Sequence, residues 1–245
     1  MATRKDLPTA DHVFDGGSMD CGSGLILLIR ENMLQVPAGG ILEICSSEPT
    51  VESELPPWCR MAGHTHLRSV KSGKETWQHW IQRGTGDEAE QVEFEADKKK
   101  AQQFQWNLRA RATDVETTVY SRNFSWKTGS TVDFDRTGET ISTLEHFFGA
   151  LLSDVIYCFS VRCSQNGISL DELEGTVKGT LNSPLAAIGV EAGDSSVKEI
   201  TLVVYVTTPA TSADVQREWN QALTSSPVFQ TLQKSCGIDS RIVLL

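Results

Sequence analysis

Between residues 22 and 36 the apolar positions Leu25, Leu28, Ile29, Met33 and Val36 recur at helical spacing and predict an amphipathic helix. Strand-like runs flank it: "HVFDGG" (12–17) before, and "ILEICS" (41–46) after Pro37-Ala38-Gly39-Gly40. A second helix is expected in "PTVESELPPWCRMAG" (49–63), interrupted by Pro56-Pro57 and closed by Gly63. Then "HTHLRSVKS" (64–72) and "ETWQHWIQR" (75–83) read as two strands joined at Gly73. Such a set folds as a small two-layer α/β sandwich, βαββαβ-type, with its helices after the first two strands.

The pattern breaks at "GTGDEAEQVEFEADKKKA" (84–101), too charged to hold a core and expected to be a solvated connector or an exposed helix. It separates a domain at 1–83 from one at 102–245. The second opens with "QWNLRARAT", "TTVYSRNFSWKTG" and "TVDFD", whose alternation predicts an antiparallel sheet with one wet face. Ser142-Thr143-Leu144-Glu145 is a capping box. After it Leu144, Phe147, Phe148, Leu151, Val155 and Phe159 keep helical spacing as far as Asn166-Gly167. "LDELEGTVKGTL", "VKEITLVVYVTT" and "IDSRIVLL" read as strands, and 212–237 as two helices broken at Ser225-Ser226-Pro227. The fold class is α+β, with a long central helix against antiparallel sheets. With Leu152 and Ile156 added, apolar residues cover well over half of that helix, more than one sheet face buries, so a second copy is expected to pack on it. The prediction is a homodimer through residues 102–245.

Composition narrows the function classes. At 39% hydrophobic and 22% charged, the chain has material for two cores. "MATRKDLPTADH" carries no apolar signal region, and no apolar run approaches the roughly 18 residues that cross a bilayer, so a cytoplasmic, non-membrane protein is expected. The net charge of −10, with Lys98-Lys99-Lys100 the largest basic cluster, disfavours nucleic acid. Proteins or small molecules are the expected partners. The six cysteines show no paired pattern, so reduced thiols are expected. Neither a nucleotide loop, a Gly-x-Ser-x-Gly elbow nor a His-Glu-x-x-His motif occurs, and no cofactor is expected.

Cys21 stands out. In "FDGGSMDCGSGLILLIREN" (14–32) it falls between the first strand and the amino end of the first helix. A helix terminus favours an anion and would lower a thiol from about 8.5 by less than about one unit. That suits a nucleophile or sulfur carrier; a small residue capping the helix is the alternative. Cys59, His64 and His66 do not have a standard zinc spacing, and Cys45 sits in an apolar strand as a core residue.

Residues 14–83 resemble the TusA/SirA family of sulfur carriers. Phe14-Asp15 stands for its Leu-Asp, and Cys21 falls in the register of its cysteine. Pro49, Pro56, Trp58, Cys59, Gly63 and His64 follow its later motif. The resemblance implies that Cys21 accepts a sulfane sulfur as a persulfide from a donor protein and passes it to an acceptor. The family's two prolines after the cysteine are Gly22 and Gly24 here, which makes a preset loop flexible.

Residues 102–245 resemble the OsmC/Ohr family in "VYSRNFSW" (119–126), "STLEHFFGALLSD" (142–154) and "SSPVFQTL" (225–232). The resemblance implies an intertwined homodimer and a hydroperoxide-reducing cysteine pair. Those positions are Asp154 and Ser226 here, and the assisting glutamate maps to Leu144 with Glu145 one place off. Neither residue of the pair is a thiol, so the peroxidase chemistry does not carry over. Asp154 in an apolar helix requires a partner, with Arg122 or Arg162 as candidates, or faces a pocket; a hydrogen-bonded structural role is the alternative. Cys158 shares its face and could substitute as a thiol. Two readings follow: a sulfur-trafficking protein in which Cys21 carries a persulfide and the second domain binds an acceptor or thiol ligand, or a non-catalytic binding fusion.

Overall fold

A computed structural model describes residues 7–72, 76–85, 87–114, 116–134 and 140–245, the side chains of 87–90 apart. The chain divides into two compact units, Met1–Phe104 with Cys163–Ile168, and Gln105–Arg162 with Ser169–Leu245.

The first unit contains β1 (His12–Asp15), α1 (Leu25–Met33), β2 (Ile41–Ser46), α2 (Val51–Met61), β3 (Thr65–Ser72), β4 (Thr76–Gln82) and α3 (Asp87–Gln102). The helices follow the first two strands as expected, so the order is β-α-β-α-β-β and the βαββαβ shorthand transposes its last helix and strand. The sheet runs β1-β2-β4-β3, with β1 parallel to β2 and β4 antiparallel to both neighbours. Alternation puts Leu42 and Ile44 of β2 on the core side. Leu25, Ile29 and Met33 of α1, four residues apart, meet them together with Val51, Leu55, Trp58 and Cys59 of α2 and Ile81 of β4.

One expectation needs correction here. Pro56 and Pro57 do not interrupt α2, which continues through them. A mid-helix proline costs about 3 kcal/mol, and the burial of Val51, Leu55, Trp58 and Cys59 along one stripe offsets it. Gly63 closes the helix as expected, at φ +78°, with the His64 amide donating to the Cys59 carbonyl at 2.8 Å. The charged stretch after β4 is α3, the exposed helix of the two alternatives, and it groups with the first unit. Phe94 is buried, and Arg30 of α1 reaches Glu93 and Asp97 of α3, each at 3.2 Å. The joint expected at Gly73 lies outside the described residues.

The second unit contains β5 (Arg109–Thr113), β6 (Glu116–Ser121), β7 (Phe124–Thr128), α4 (Thr143–Gln165), β8 (Glu172–Leu181), α5 (Pro184–Ala187), β9 (Val197–Thr207), α6 (Ser212–Ser225), α7 (Pro227–Leu232) and β10 (Gly237–Leu244). "TTVYSRNFSWKTG" makes two strands turned at Arg122, φ +52°. Thr131–Phe134 of the expected "TVDFD" strand is irregular, and residue 135 lies outside the described residues. β5-β6-β7 is antiparallel throughout, but the second sheet, β10-β9-β8, is mixed. α6 and α7 carry the chain back, so β10 joins β9 in parallel.

α4 begins with the expected capping box. The Ser142 amide donates to Glu145 Oε2 at 2.7 Å, and the Glu145 amide to Ser142 Oγ at 3.2 Å. It lies close on β8 because two strand positions are glycine. A Cβ at Gly175 would stand 2.6 Å from Leu152 Cδ1, and one at Gly179 2.1 Å from Phe148 Cζ. Leu151, Val155 and Phe159 are fully buried, and Phe159 meets Trp219 of α6 edge to face. By length and composition α4 could cross a membrane. The sequence hid this by interspersing Glu145, Asp154 and Arg162 among its apolar residues. Leu144, Phe147, Phe148, Leu152 and Ile156 are half-buried, and its exposed positions include Gly149, Ala150, Ser153 and Tyr157.

Candidate functional site

Cys21 does not stand at the amino end of α1. It opens a separate 3-10 turn, Cys21–Ser23, closed on itself by Asp20. Asp20 Oδ1 accepts the Ser23 amide at 2.6 Å, and its carbonyl accepts the Ser23 hydroxyl at 2.9 Å and the Leu25 amide at 3.4 Å. Gly24 follows at φ +107°, and α1 starts without a side-chain cap. Proline, fixed near −65°, cannot adopt the backbone that Gly24 has here.

The thiol is half-buried, and its charged neighbours are acidic. Burial, a hydrogen bond to Glu54 of α2 and the charges of Glu54, Asp20 and Glu48 push it up from an ordinary value near 9 to about 12. The lowered pKa expected from a helix terminus is therefore overturned. The signal missed was the acid-rich "SSEPTVESE", which the sandwich topology folds back beside the cysteine.

The remaining thiols and imidazoles of the first unit are dispersed. Cys59 is in the core, its thiol pushed to about 12 by burial. Cys45, half-buried rather than core, is raised to about 11 by burial, Asp15 and Glu43. The His64 ring lies 5.6 Å from that of Trp58, and its Nδ1 accepts the Gly84 amide at 3.2 Å. His66 Nε2 meets Ser69 Oγ at 2.9 Å, and that hydroxyl meets Nδ1 of the fully buried His79 at 2.7 Å. One hydroxyl proton serves only one of the two rings, so the other ring must be the donor.

In the second unit Asp154 and Ser226, 72 residues apart, are brought together. The buried Ser226 hydroxyl donates to Asp154 Oδ2, which also accepts the Val228 amide at 3.0 Å. Ser226 Oγ in turn accepts the Phe229 amide at 3.1 Å. The two side chains thus cap α7 jointly, each holding one of its first free amides. Cys158 Sγ lies 4.0 Å from Asp154 Oδ1, and burial, then the Asp154 charge, raise its thiol to about 11.

The expected arginine partners are elsewhere. Arg122 is exposed at the β6–β7 turn, its guanidinium 5.6 Å from the Phe124 ring. Arg162 instead binds Glu218 of α6 at 3.2 Å, and Arg217 reaches the same buried carboxylate at 2.9 Å. Glu218 was legible as a carboxylate in the buried register of Val215, Trp219 and Ala222. Glu145 serves the capping box.

No family model matches the chain. Its first part is similar to sulfur carrier protein TusA of Pseudomonas putida strain GB-1, 24% identical over 75 residues, which is 31% of this chain and 91% of that one. The TusA of Pseudomonas savastanoi pv. phaseolicola is also 24% identical over 75 residues, covering 87% of its length. A solved OsmC-like protein from Mycoplasma pneumoniae superposes with a TM-score of 0.51 at 16% identity, over 58% of this chain and 99% of that one. The composite cap at Asp154 and Ser226 and the acid-lined turn at Cys21 are thus set in two recognisable frameworks: the chain is a fusion of a TusA-like segment with a unit of OsmC-like fold.

Proposed function

We propose that the protein carries sulfur on Cys21, with the OsmC-like unit binding the acceptor or a thiol ligand. The observation that carries this reading is the position of Cys21 in the turn after β1 of a segment similar to sulfur carriers named TusA. In the transfer the Cys21 thiolate attacks the outer sulfur of a donor persulfide. The new S–S bond forms as the donor's breaks, the donor leaves as a thiolate, and the proton given up by Cys21 neutralises it. No net oxidation occurs. The setting is cytoplasmic, without membrane or nucleic acid, and the OsmC-like units pair as a homodimer.

The test is intact mass after incubation with a cysteine desulfurase and cysteine. The protein gains one sulfur atom, removable by reductant; Cys21→Ser abolishes the gain and Cys59→Ser does not. A gain on another cysteine, or none, refutes the carrier role. The second reading, a non-catalytic binding fusion, is favoured by the Asp154–Ser226 cap, which uses the side chains of both positions structurally. Neither residue can form a sulfenic acid, so cumene hydroperoxide is consumed no faster than by free thiol on either reading.

A further inference from the structure

We propose that His66, Ser69 and His79 form a pH-sensitive pin on the inner face of β3 and β4, in which the buried His79 fixes the Ser69 hydroxyl as a donor and a proton taken up by His66 releases the contact. The pin is independent of whether Cys21 carries sulfur.

An irregularity in β3 makes the cluster possible. Residues three apart on a regular strand point to opposite faces. The pairing of β3 with β4 shifts between His66 and Arg68, and the extra residue, Leu67, brings His66 onto the face of Ser69. Opposite them on β4 stand Ile81 and His79, and Ile81 belongs to the core, so this face is the inner one. Ser69 Oγ is then 2.9 Å from His66 Nε2 and 2.7 Å from His79 Nδ1. The His79 ring also stacks on Trp77, with centroids 6.4 Å apart.

His79 Nε2 sets the direction of the protons. It is buried and has no hydrogen-bond partner. A buried N–H without an acceptor is rarer than an unused acceptor, so His79 carries its proton on Nδ1 and donates to Ser69 Oγ. The Ser69 hydroxyl proton then goes to His66 Nε2, and His66 keeps its own proton on Nδ1. If His66 Nε2 takes up a proton, two hydrogens lie between it and Ser69 Oγ. Ser69 could turn its own hydrogen away only if His79 gave up the Nδ1 proton and carried one on Nε2, which would bury a donor without a partner. His66 is half-buried and can turn to water, whereas His79 is fully buried, so the His66–Ser69 contact is the one that breaks.

The surroundings favour neutral rings. α2 and β2 pack against this pair of strands. The buried side chains of β2 are not titratable, and α2 contributes Cys59, a thiol held neutral by a pKa pushed to about 12. β3 itself adds the exposed cation Lys71, whose Nζ lies 5.9 Å from the Trp77 ring. Burial lowers the pKa of His66, and burial followed by the His66 charge lowers that of His79 to about 4.

The experiment is long-range proton–nitrogen correlation NMR of the imidazoles in the full chain across about pH 4 to 8. In the wild type at neutral pH His79 is the Nδ1–H tautomer, and His66 titrates with a midpoint below its ordinary 6.5. Ser69→Ala removes the donor to neutral His66 and raises that midpoint by roughly half to one unit. Ser69→Thr keeps the hydroxyl and the low midpoint. His79→Phe also raises it, although His79 is not hydrogen-bonded to His66, because Ser69 Oγ is then free to accept from the imidazolium. Hydrogen-exchange protection of the Leu67 and Ser69 amides falls as pH drops through the His66 midpoint, and circular dichroism checks that each variant is folded. The Nε2–H tautomer at His79, a folded Ser69→Ala variant with the wild-type midpoint, or protection unchanged through that midpoint overturns the pin.

Discussion

Replacing Asp154 by alanine tests whether the polar junction between α4 and α7 is a structural cap. The substitution removes the acceptor of two donors, the buried Ser226 hydroxyl and the Val228 amide. Leaving a buried donor unpaired costs about 1–3 kcal/mol. Ser226 is fully buried, so its hydroxyl cannot turn to water. Val228 lies at the start of a short helix, where loss of a cap costs about 1 kcal/mol. The expected destabilisation is thus about 2–4 kcal/mol. Ser226→Ala frees the Phe229 amide and removes one donor to Asp154, for about 2–3 kcal/mol. Since both substitutions break one network, the double variant loses less than the sum, with a coupling of about 1–2 kcal/mol. Urea unfolding supplies the free energies, and hydrogen exchange at the Val228 and Phe229 amides locates the effect. If Asp154→Ala stays within about 0.5 kcal/mol of wild type with both amides still protected, the carboxylate does not cap α7 and the structural reading is wrong.

Gly24→Ala forces a side chain into φ +107° and is expected to destabilise the first unit by about 1 kcal/mol or more, read as a lower urea midpoint; an unchanged midpoint would show that the left-handed turn is not required. His79 is buried neutral, its pKa lowered from 6.5 to about 4 chiefly by burial and then by His66. The unfolded chain therefore takes up a proton that the folded one refuses: this contribution is intact above pH 6.5, falls away as pH drops toward 4, and amounts to at most about 3 kcal/mol. His79→Gln should flatten the fall in urea midpoint over that window, and a profile as steep as wild type would contradict the assignment. For the second unit, β5 is exposed at every position, as are Phe124 and Ile141, so light scattering at micromolar concentration should report a dimer. A well-folded monomer would refute it.

Local rules determined much of this protein. Helical spacing placed α1 and α4, the capping box marked the start of α4, and the glycines at 63 and 167 ended α2 and α4 where expected. Periodicity and caps depend on neighbours three or four residues away, so they are written in the chain. Resemblance added the register of Asp154 against Ser226, which meet across 72 residues. What tertiary structure alone decided is charge and partnership. The sequence put Cys21 beside a helix dipole, whereas the fold brings Glu48 and Glu54 to it from a distant loop and helix and reverses the direction of its pKa. It left Asp154 an arginine partner, a pocket or a hydrogen-bonded structural role, and the fold selects the last: a serine hydroxyl and a backbone amide satisfy the carboxylate while Arg162 goes to Glu218. The electrostatics of a half-buried group are set by whatever the topology packs against it, and spacing along the chain carries no record of those neighbours.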